Sequence, residues 1–299
     1  MANMTKLEKI ARLIEMENNI LASFYADSIM RGGEEYPSYY RKNPRAIKSL
    51  LKSEMQANIA MRKYFSELND RIVENLNWNE YERKISSHSS NHTKAPRTHR
   101  TLKGGILDYL VQAFWENETL VLKIYLTKAL VDALEGGGLF SEDELKVEVG
   151  WSRENAPAIE FLNKYSLSAA KSLTATTKKR VIAALKTSID NGEDRNGAID
   201  RISKTVKDRV RATAIAQTES VRAFSAGRME VGRQVGADRK KWRTAGDNKV
   251  STICRSNELL GVVPFDYKYN DVSGDKVTEP PAHVNCRSGI QLFMPGEKI

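Results

Sequence analysis

The sequence predicts an α+β protein that is predominantly helical. A long N-terminal helical region leads into a helix-rich C-terminal domain, and that domain ends in a small antiparallel β-sheet. Three observations carry this prediction. Apolar residues recur about once per helical turn in successive stripes up to roughly residue 235. Gly192 and Gly236 stand where two of those stripes stop, and glycine takes the left-handed conformation that closes a helix. After Gly236 the texture changes to short alternating segments separated by turn residues.

Taken in order, Leu7, Ile10, Ile14 and Leu21 mark a first helix. Asn43-Pro44 reads as a cap followed by proline at the first helical position. Leu51, Met55, Ile59, Phe65, Leu68 and Ile72 continue from it as a stripe that buries against partner helices. The periodicity stops between Ser86 and Gly105, where His88, His92 and His99 mix with Pro96, Arg97, Arg100 and Lys103. This composition lacks the apolar surface needed to offset the entropy of ordering, so an exposed basic loop over 86–105 is expected. A metal site from its three histidines would need a helix that the composition disfavours.

Ile106 to Leu134 reads as a helix with apolar residues on several sides, central to its domain or buried in an assembly, and Gly136-Gly137-Gly138 is expected to end it. From Ser141 to Val149 two readings compete: a capping box from Ser141 and Glu144, or a strand from the alternation of Leu145, Val147 and Val149. Pro157 to Leu173 is expected to be helical. A further helix carries Val181, Leu185 and Ile189 and ends at Asn191-Gly192, and the next carries Ile199, Ile202 and Val206. The helix from about Asp208 to Val235 places Ala212, Ala216, Glu219, Ala223 and Ala226 on one face. Small residues there admit a close neighbour. Glu219, in their midst, is expected to be satisfied by an arginine or by backbone amides.

In the last sixty residues, Lys240 to Thr244 is expected to form a strand around Trp242. Asp247-Asn248 reads as a turn, Gly261 to Pro264 as another connection and Asn270 to Thr278 as a loop. Arg287 to Phe293 reads as the final strand.

At 299 residues the chain has room for two domains, placed at 1–170 and 171–299. No apolar run approaches the ~20 residues of a membrane span, and the polar start of the chain shows no export signal. Two cysteines do not make a disulfide framework, so a reducing compartment is the default. The charge is uneven. Lys171 to Arg243 holds 18 basic and 8 acidic side chains, so the whole +9 surplus of the chain originates there. Such a field attracts the phosphate backbone, and the candidate DNA contacts are Lys178, Lys179, Arg180, Lys204, Lys207, Arg211, Arg239, Lys240 and Lys241. The competing reading is a solvated lysine-rich face, since no motif of a sequence-specific reader is present.

The two cysteines, Cys254 and Cys286, and one histidine, His283, fall in two blocks near the C-terminus. That gathering suits a metal, a cross-link or simple packing. The blocks belong to a longer series: Arg211-Ala212-Thr213-Ala214-Ile215-Ala216-Gln217-Thr218-Glu219, Gly227-Arg228, Lys241-Trp242, Asp247, Cys254, Gly261, and Pro280-Pro281-x-His283-x-x-Cys286-Arg287. In this order and spacing the series resembles the C-terminal domain of the phage Mu protein F-like minor head proteins, also called phage head morphogenesis proteins, over roughly Leu173 to Leu292.

The resemblance implies a non-enzymatic minor capsid protein of a tailed phage or prophage, sitting inside the head near the portal vertex and in the host cytoplasm during assembly. Its implied partners are the portal protein, a major capsid or scaffolding protein, and packaged double-stranded DNA bound without sequence preference, with no membrane. Glu219, Trp242, Asp247, Pro281 and Arg287 are its implied structural positions. The chain departs from the family where Gln217 replaces an arginine, Ser251 the first cysteine of a Cys-x-x-Cys pair, and Ser288 the last cysteine of Cys-Arg-Cys. A four-thiolate zinc site is therefore unavailable, and Cys254, His283 and Cys286 remain as three ligands, with an acid such as Asp247 or water as a fourth. No bound cofactor is expected beyond that zinc, with a Cys254–Cys286 disulfide and two reduced cysteines as the other outcomes. The competing function is a zinc-dependent nuclease or hydrolase built on the same three residues.

Overall fold

The computed structural model describes residues 33–89 and 112–297, together with Leu110 and isolated positions between 19 and 30. The first expected helix and the basic loop from position 90 onward lie outside the described residues. A 3-10 turn over Ser38–Lys42 precedes α1 (Pro44–Asn75). Asn43 caps α1 as expected: its Oδ1 accepts from the Ala46 amide at 3.0 Å. There follow α2 (Trp78–Ser89), α3 (Gln112–Leu145), α4 (Ala156–Asp190), α5 (Arg195–Val206) and α6 (Arg209–Gln234). The last segment holds β1 (Arg239–Arg243), α7 (Thr252–Leu259), β2 (Val262–Pro264), β3 (Tyr269–Asn270), β4 (Lys276–Val277) and β5 (Gly289–Phe293). The fold is predominantly helical with a small antiparallel sheet at its C-terminal end.

Several expectations are corrected. Ser86–Ser89 finish α2 instead of opening a loop. The helices expected on either side of residue 174 are one element, α4, and position 170 lies inside it. Neither reading for 141–149 holds: α3 runs through Ser141 to Leu145, so Ser141 and Glu144 lie inside a helix instead of starting one, and Lys146 then adopts φ 54°. The 261–264 connection contains strand β2, the 270–278 loop is the β3–β4 hairpin, and α7 was not foreseen.

The largest correction concerns the glycine run at 136–138, which α3 passes straight through. A Cβ at Gly137 would lie 1.9 Å from the Phe224 carbonyl oxygen on α6, and one at Gly227 would lie 2.0 Å from the Leu134 carbonyl oxygen on α3. A Cβ at Gly138 would meet the Trp151 indole at 2.1 Å. These glycines let two helices meet backbone to backbone and do not terminate the helix. The alanine face of α6 agrees with this, since Ala212, Ala216, Ala223 and Ala226 are all buried.

The chain divides into two compact units. One comprises Met1–Ile59, Lys128–Leu162 and Thr213–Ile299, the other Ala60–Thr127 and Asn163–Ala212. The first contains the α3–α6 glycine contact and the sheet, ordered β2-β1-β5 and antiparallel throughout. In its register Trp242 faces Ile290 and Lys240 faces Leu292. Alternation along β1 therefore sends Lys240 and Trp242 to the same buried side. Beneath the sheet lies a core of Met229, Trp242, Cys254, Tyr269, Cys286, Ile290 and Leu292. Elsewhere in this unit Glu54 is buried and accepts from the hydroxyls of Tyr25 (2.9 Å) and Tyr36 (2.5 Å).

The second unit buries Phe65, Leu68, Ile72, Leu122, Val181, Leu185, Ile202 and Val206. Gly192 closes α4 with φ 66°, and Asp194 caps α5 by accepting from the Gly197 amide at 2.8 Å. Glu118, buried in this unit, takes both nitrogens of the Arg71 fork at 2.6 and 2.8 Å.

Candidate functional site

Ser251 starts α7 by accepting from the Cys254 amide at 3.3 Å. This cap sets Cys254 on the first turn with its side chain in the core. The returning segment 280–288 brings up Pro281, His283 and Cys286. Asn285, at φ 60°, turns the chain, and its amide donates to Thr218 Oγ1 on α6 at 2.9 Å. The left-handed conformation is one that asparagine tolerates better than most residues. Cys254 Sγ and Cys286 Sγ end 3.6 Å apart and buried. A disulfide needs about 2.05 Å, so the thiols are unbonded. The hydrogen bond to Cys286, followed by burial, pushes Cys254 up to about 12, while the same bond pulls Cys286 down to about 6.

The three donors fit a zinc ion in part. Their ligating atoms lie within 4.8 Å of one another. Two thiolates 2.3 Å from a tetrahedral zinc would stand about 3.8 Å apart, close to the 3.6 Å seen. His283 Nδ1 donates to the Val284 carbonyl at 2.7 Å, which leaves Nε2 as its basic nitrogen, in the manner of ligating histidines. Ser251 and Ser288 stand where the resemblance implied two further thiols. They border, with Cys254, His283 and Asn285, a void of about 10 Å³, enough for one water or ion. Cys254, His283 and Cys286 would hold the metal, and it would supply a cross-link between α7 and the segment before β5.

Around this cluster the other expected structural residues take defined places. Arg287 grips Asp247 through both terminal nitrogens, at 2.7 and 2.8 Å, and donates to the Glu35 carbonyl at 2.7 Å. Arg287 holds the Asp247 carboxyl below the usual carboxylate range. Asp247 is therefore committed to the clamp, and the metal-ligand set among the described residues is Cys254, His283 and Cys286 without it. Trp242 is fully buried and meets Tyr269 edge-on, with centroids 4.9 Å apart. Pro281 is buried beside Ala282. Glu219 is 9% exposed, and its nearest arginine is Arg222 on the same helix, at 3.7 Å.

Arg228 was missed as a site residue. It is fully buried on α6, donates to Tyr39 Oη at 2.9 Å, pairs with Glu144, and lies 4.2 Å from the centroid of the Phe140 ring. Tyr39 in turn donates to the Ile290 carbonyl of β5 at 2.6 Å. The guanidinium thus joins α3, the 3-10 turn and the sheet. The sequence signal was Arg228 at helical spacing from Val221 and Phe224, which puts an arginine on an apolar face.

The candidate DNA contacts separate into accessible and committed groups. Lys179 and Lys204 are exposed. Lys178 donates to Gln112 at 2.9 Å, Arg180 to Asp208 at 3.0 Å, and Lys207 lies 3.7 Å from Asp70. Arg211 turns inward to Thr177 Oγ1 at 2.8 Å and packs on Phe65, and burial pulls it down to about 10. Arg239 donates to the carbonyls of Met294 and Glu297, and Lys241 is half-buried. Lys240 departs furthest from expectation: it is fully buried and donates to the Thr278 carbonyl at 2.7 Å. Burial also pulls its ammonium down to about 8, and a fully buried side chain presents no face to a phosphate.

Comparison with known proteins found no match among curated proteins and none among solved structures. Residues 179–291 match the family model described as Phage Mu protein F like protein. That span begins on α4 and ends on β5, and it contains the Cys254–His283–Cys286 cluster, the Asp247–Arg287 clamp and buried Arg228. Over residues 179–291 the chain is therefore similar to the Phage Mu protein F like family, the family that its C-terminal motifs resemble.

Proposed function

We propose that the chain is a minor head protein that works in head assembly or DNA delivery of a tailed phage or prophage, held near the portal vertex and touching packaged DNA. The family match over 179–291 carries this reading. The site's construction supports an architectural role. Both thiols are buried, Asp247 is committed to Arg287, and the void beside them has room for one water and not for a substrate. A zinc-dependent hydrolase would need an open metal position facing a cleft and a nearby general base, and no observation favours that alternative. The basic surplus of 171–243 supports the DNA contact.

The test is to co-express the full chain with the portal and capsid proteins of its phage or prophage and to sediment the assembled particles. Co-sedimentation in a few copies per particle, with matching density beside the portal in a reconstruction, is the expected result. A chain that remains unassembled in the presence of portal and capsid protein overturns the assignment.

A further inference from the structure

Helix α4 carries no acidic side chain from Phe161 to Ile189, a stretch that holds Lys164, Lys171, Lys178, Lys179, Arg180 and Lys186. Of these, Lys164, Lys171, Lys179 and Lys186 are exposed. Their spacings of seven, eight and seven residues keep them within an arc of about 80° on the helix and spread them along about 33 Å of its axis. Between them stand Ser168, Ser172, Ala175, Thr176 and Ala183, all exposed and all short. A solvated lysine-rich helix face ordinarily interleaves acids one turn away; here Glu160 stands one turn before Lys164 and Asp190 one turn after Lys186, and α4 carries no acid between them. Of the acids of the same unit, Glu118 pairs with Arg71, Glu193 with Arg201 and Asp208 with Arg180, while Glu116 borders a groove together with Lys171 and Lys178. The row is thus a line of net positive charge on a rigid rod, with acids only at its two ends on α4 and only short exposed side chains between its lysines.

We infer that Lys164, Lys171, Lys179 and Lys186 form a contact line for the phosphate backbone of duplex DNA. The inference rests on the DNA-contact part of the proposed function and locates it on α4. The charge is complementary to a polyanion. Its length, about 33 Å, is close to one helical turn of B-form DNA, ~34 Å. Contacts of this kind are made without base readout and release counterions.

The test measures binding of the full chain to a fluorescent 30-base-pair duplex by anisotropy across a potassium chloride series. It compares the wild type with the quadruple variant K164Q/K171Q/K179Q/K186Q and with K249Q/K268Q/K276Q, which removes three exposed lysines near the sheet. All substitutions are at exposed positions, and unchanged circular dichroism verifies the fold. The α4 variant is expected to bind roughly tenfold or more weakly at 100 mM salt, with its log–log salt slope shallower by about 3. The other variant should stay near the wild type. If both variants bind like the wild type, the lysine row is refuted while the DNA contact stands. If the wild type does not bind duplex, the DNA contact falls and the row with it. Equal affinity for polyglutamate of matched charge overturns the assignment to DNA in favour of an acidic protein surface.

Discussion

Replacing Gly137 by alanine tests the helix contact at the centre of the first unit. Alanine is the better helix former by about 1 kcal/mol, so a glycine that merely tolerated the helix would be improved by the change. Here the added Cβ would sit 1.9 Å from the Phe224 carbonyl oxygen and 2.7 Å from its carbonyl carbon, where ordinary contact begins at 3.4 Å. Both are backbone atoms, so no rotamer change relieves the clash. Helix α6 has to withdraw by about 1.5 Å, a strain of the kind that costs ~1–3 kcal/mol in an overpacked core. Withdrawal also loosens the edge-on contacts of Phe224 with Tyr40 and Phe140, each worth ~0.5–1.5 kcal/mol. Set against the propensity gain, the net loss is about 2–4 kcal/mol, or roughly 5–12 °C in melting temperature for a unit of this size. Thermal unfolding followed at 222 nm reads it. Gly197→Ala on α5 serves as the milder comparison, because its Cβ would meet only the Glu193 and Asp194 side chains, at 3.1 and 3.4 Å, a crowding that a shift of a few tenths of an ångström relieves. A Gly137→Ala protein that melts at or above the wild type would refute the backbone-to-backbone contact.

Three further outcomes follow from the same geometry. Arg228→Ala should cost about 3–5 kcal/mol in denaturant unfolding, since it strands Glu144 and Tyr39 in the core, and lysine should not rescue it because one ammonium cannot reproduce the planar fork. Burial pushes Glu54 up to about 7 against its hydrogen bonds from Tyr36 and Tyr25. The folded state therefore holds that proton where the unfolded chain has released it. Stability should fall by roughly 3 kcal/mol as pH rises from about 4.5 to 7, and Glu54→Gln should flatten that slope. Zinc at a hundredfold excess over its dissociation constant should raise the melting temperature by roughly 5–10 °C, and Cys286→Ser should abolish the gain.

The sequence was readable wherever a local signal had one meaning. Asn43-Pro44, Gly192 and Gly236 mark helix ends because a cap or a left-handed turn is decided by neighbouring atoms alone. Trp242 and Ile290 lie on strands because alternation over five residues suffices. The glycine run at 136–138 failed because the same residue serves a stop and a close approach. The choice rests with Phe224, almost ninety positions away. Lys240 and Arg211 were counted by charge, which carries no direction. Yet Lys240 stands two residues from Trp242, and strand alternation already assigned both to one face. Cys254, His283 and Cys286 were legible as a group by residue type, while their 3.6 Å sulfur separation depends on Ser251 capping a helix that the composition did not announce.

The bond from Tyr39 to the Ile290 carbonyl spans 251 positions of chain, and that from Arg287 to the Glu35 carbonyl spans 252. A ribosome adding ~5–20 residues per second needs about 12–50 s to pass from one member of each pair to the other. For that interval the Tyr39 hydroxyl and the Glu35 carbonyl lack these particular partners, whereas Phe140 and Phe224, which pack on the two tyrosines, emerge earlier. Closure of this unit therefore waits for its last strand, and a nascent chain cut short before β5 would leave the Tyr39 hydroxyl and the Glu35 carbonyl without these two bonds.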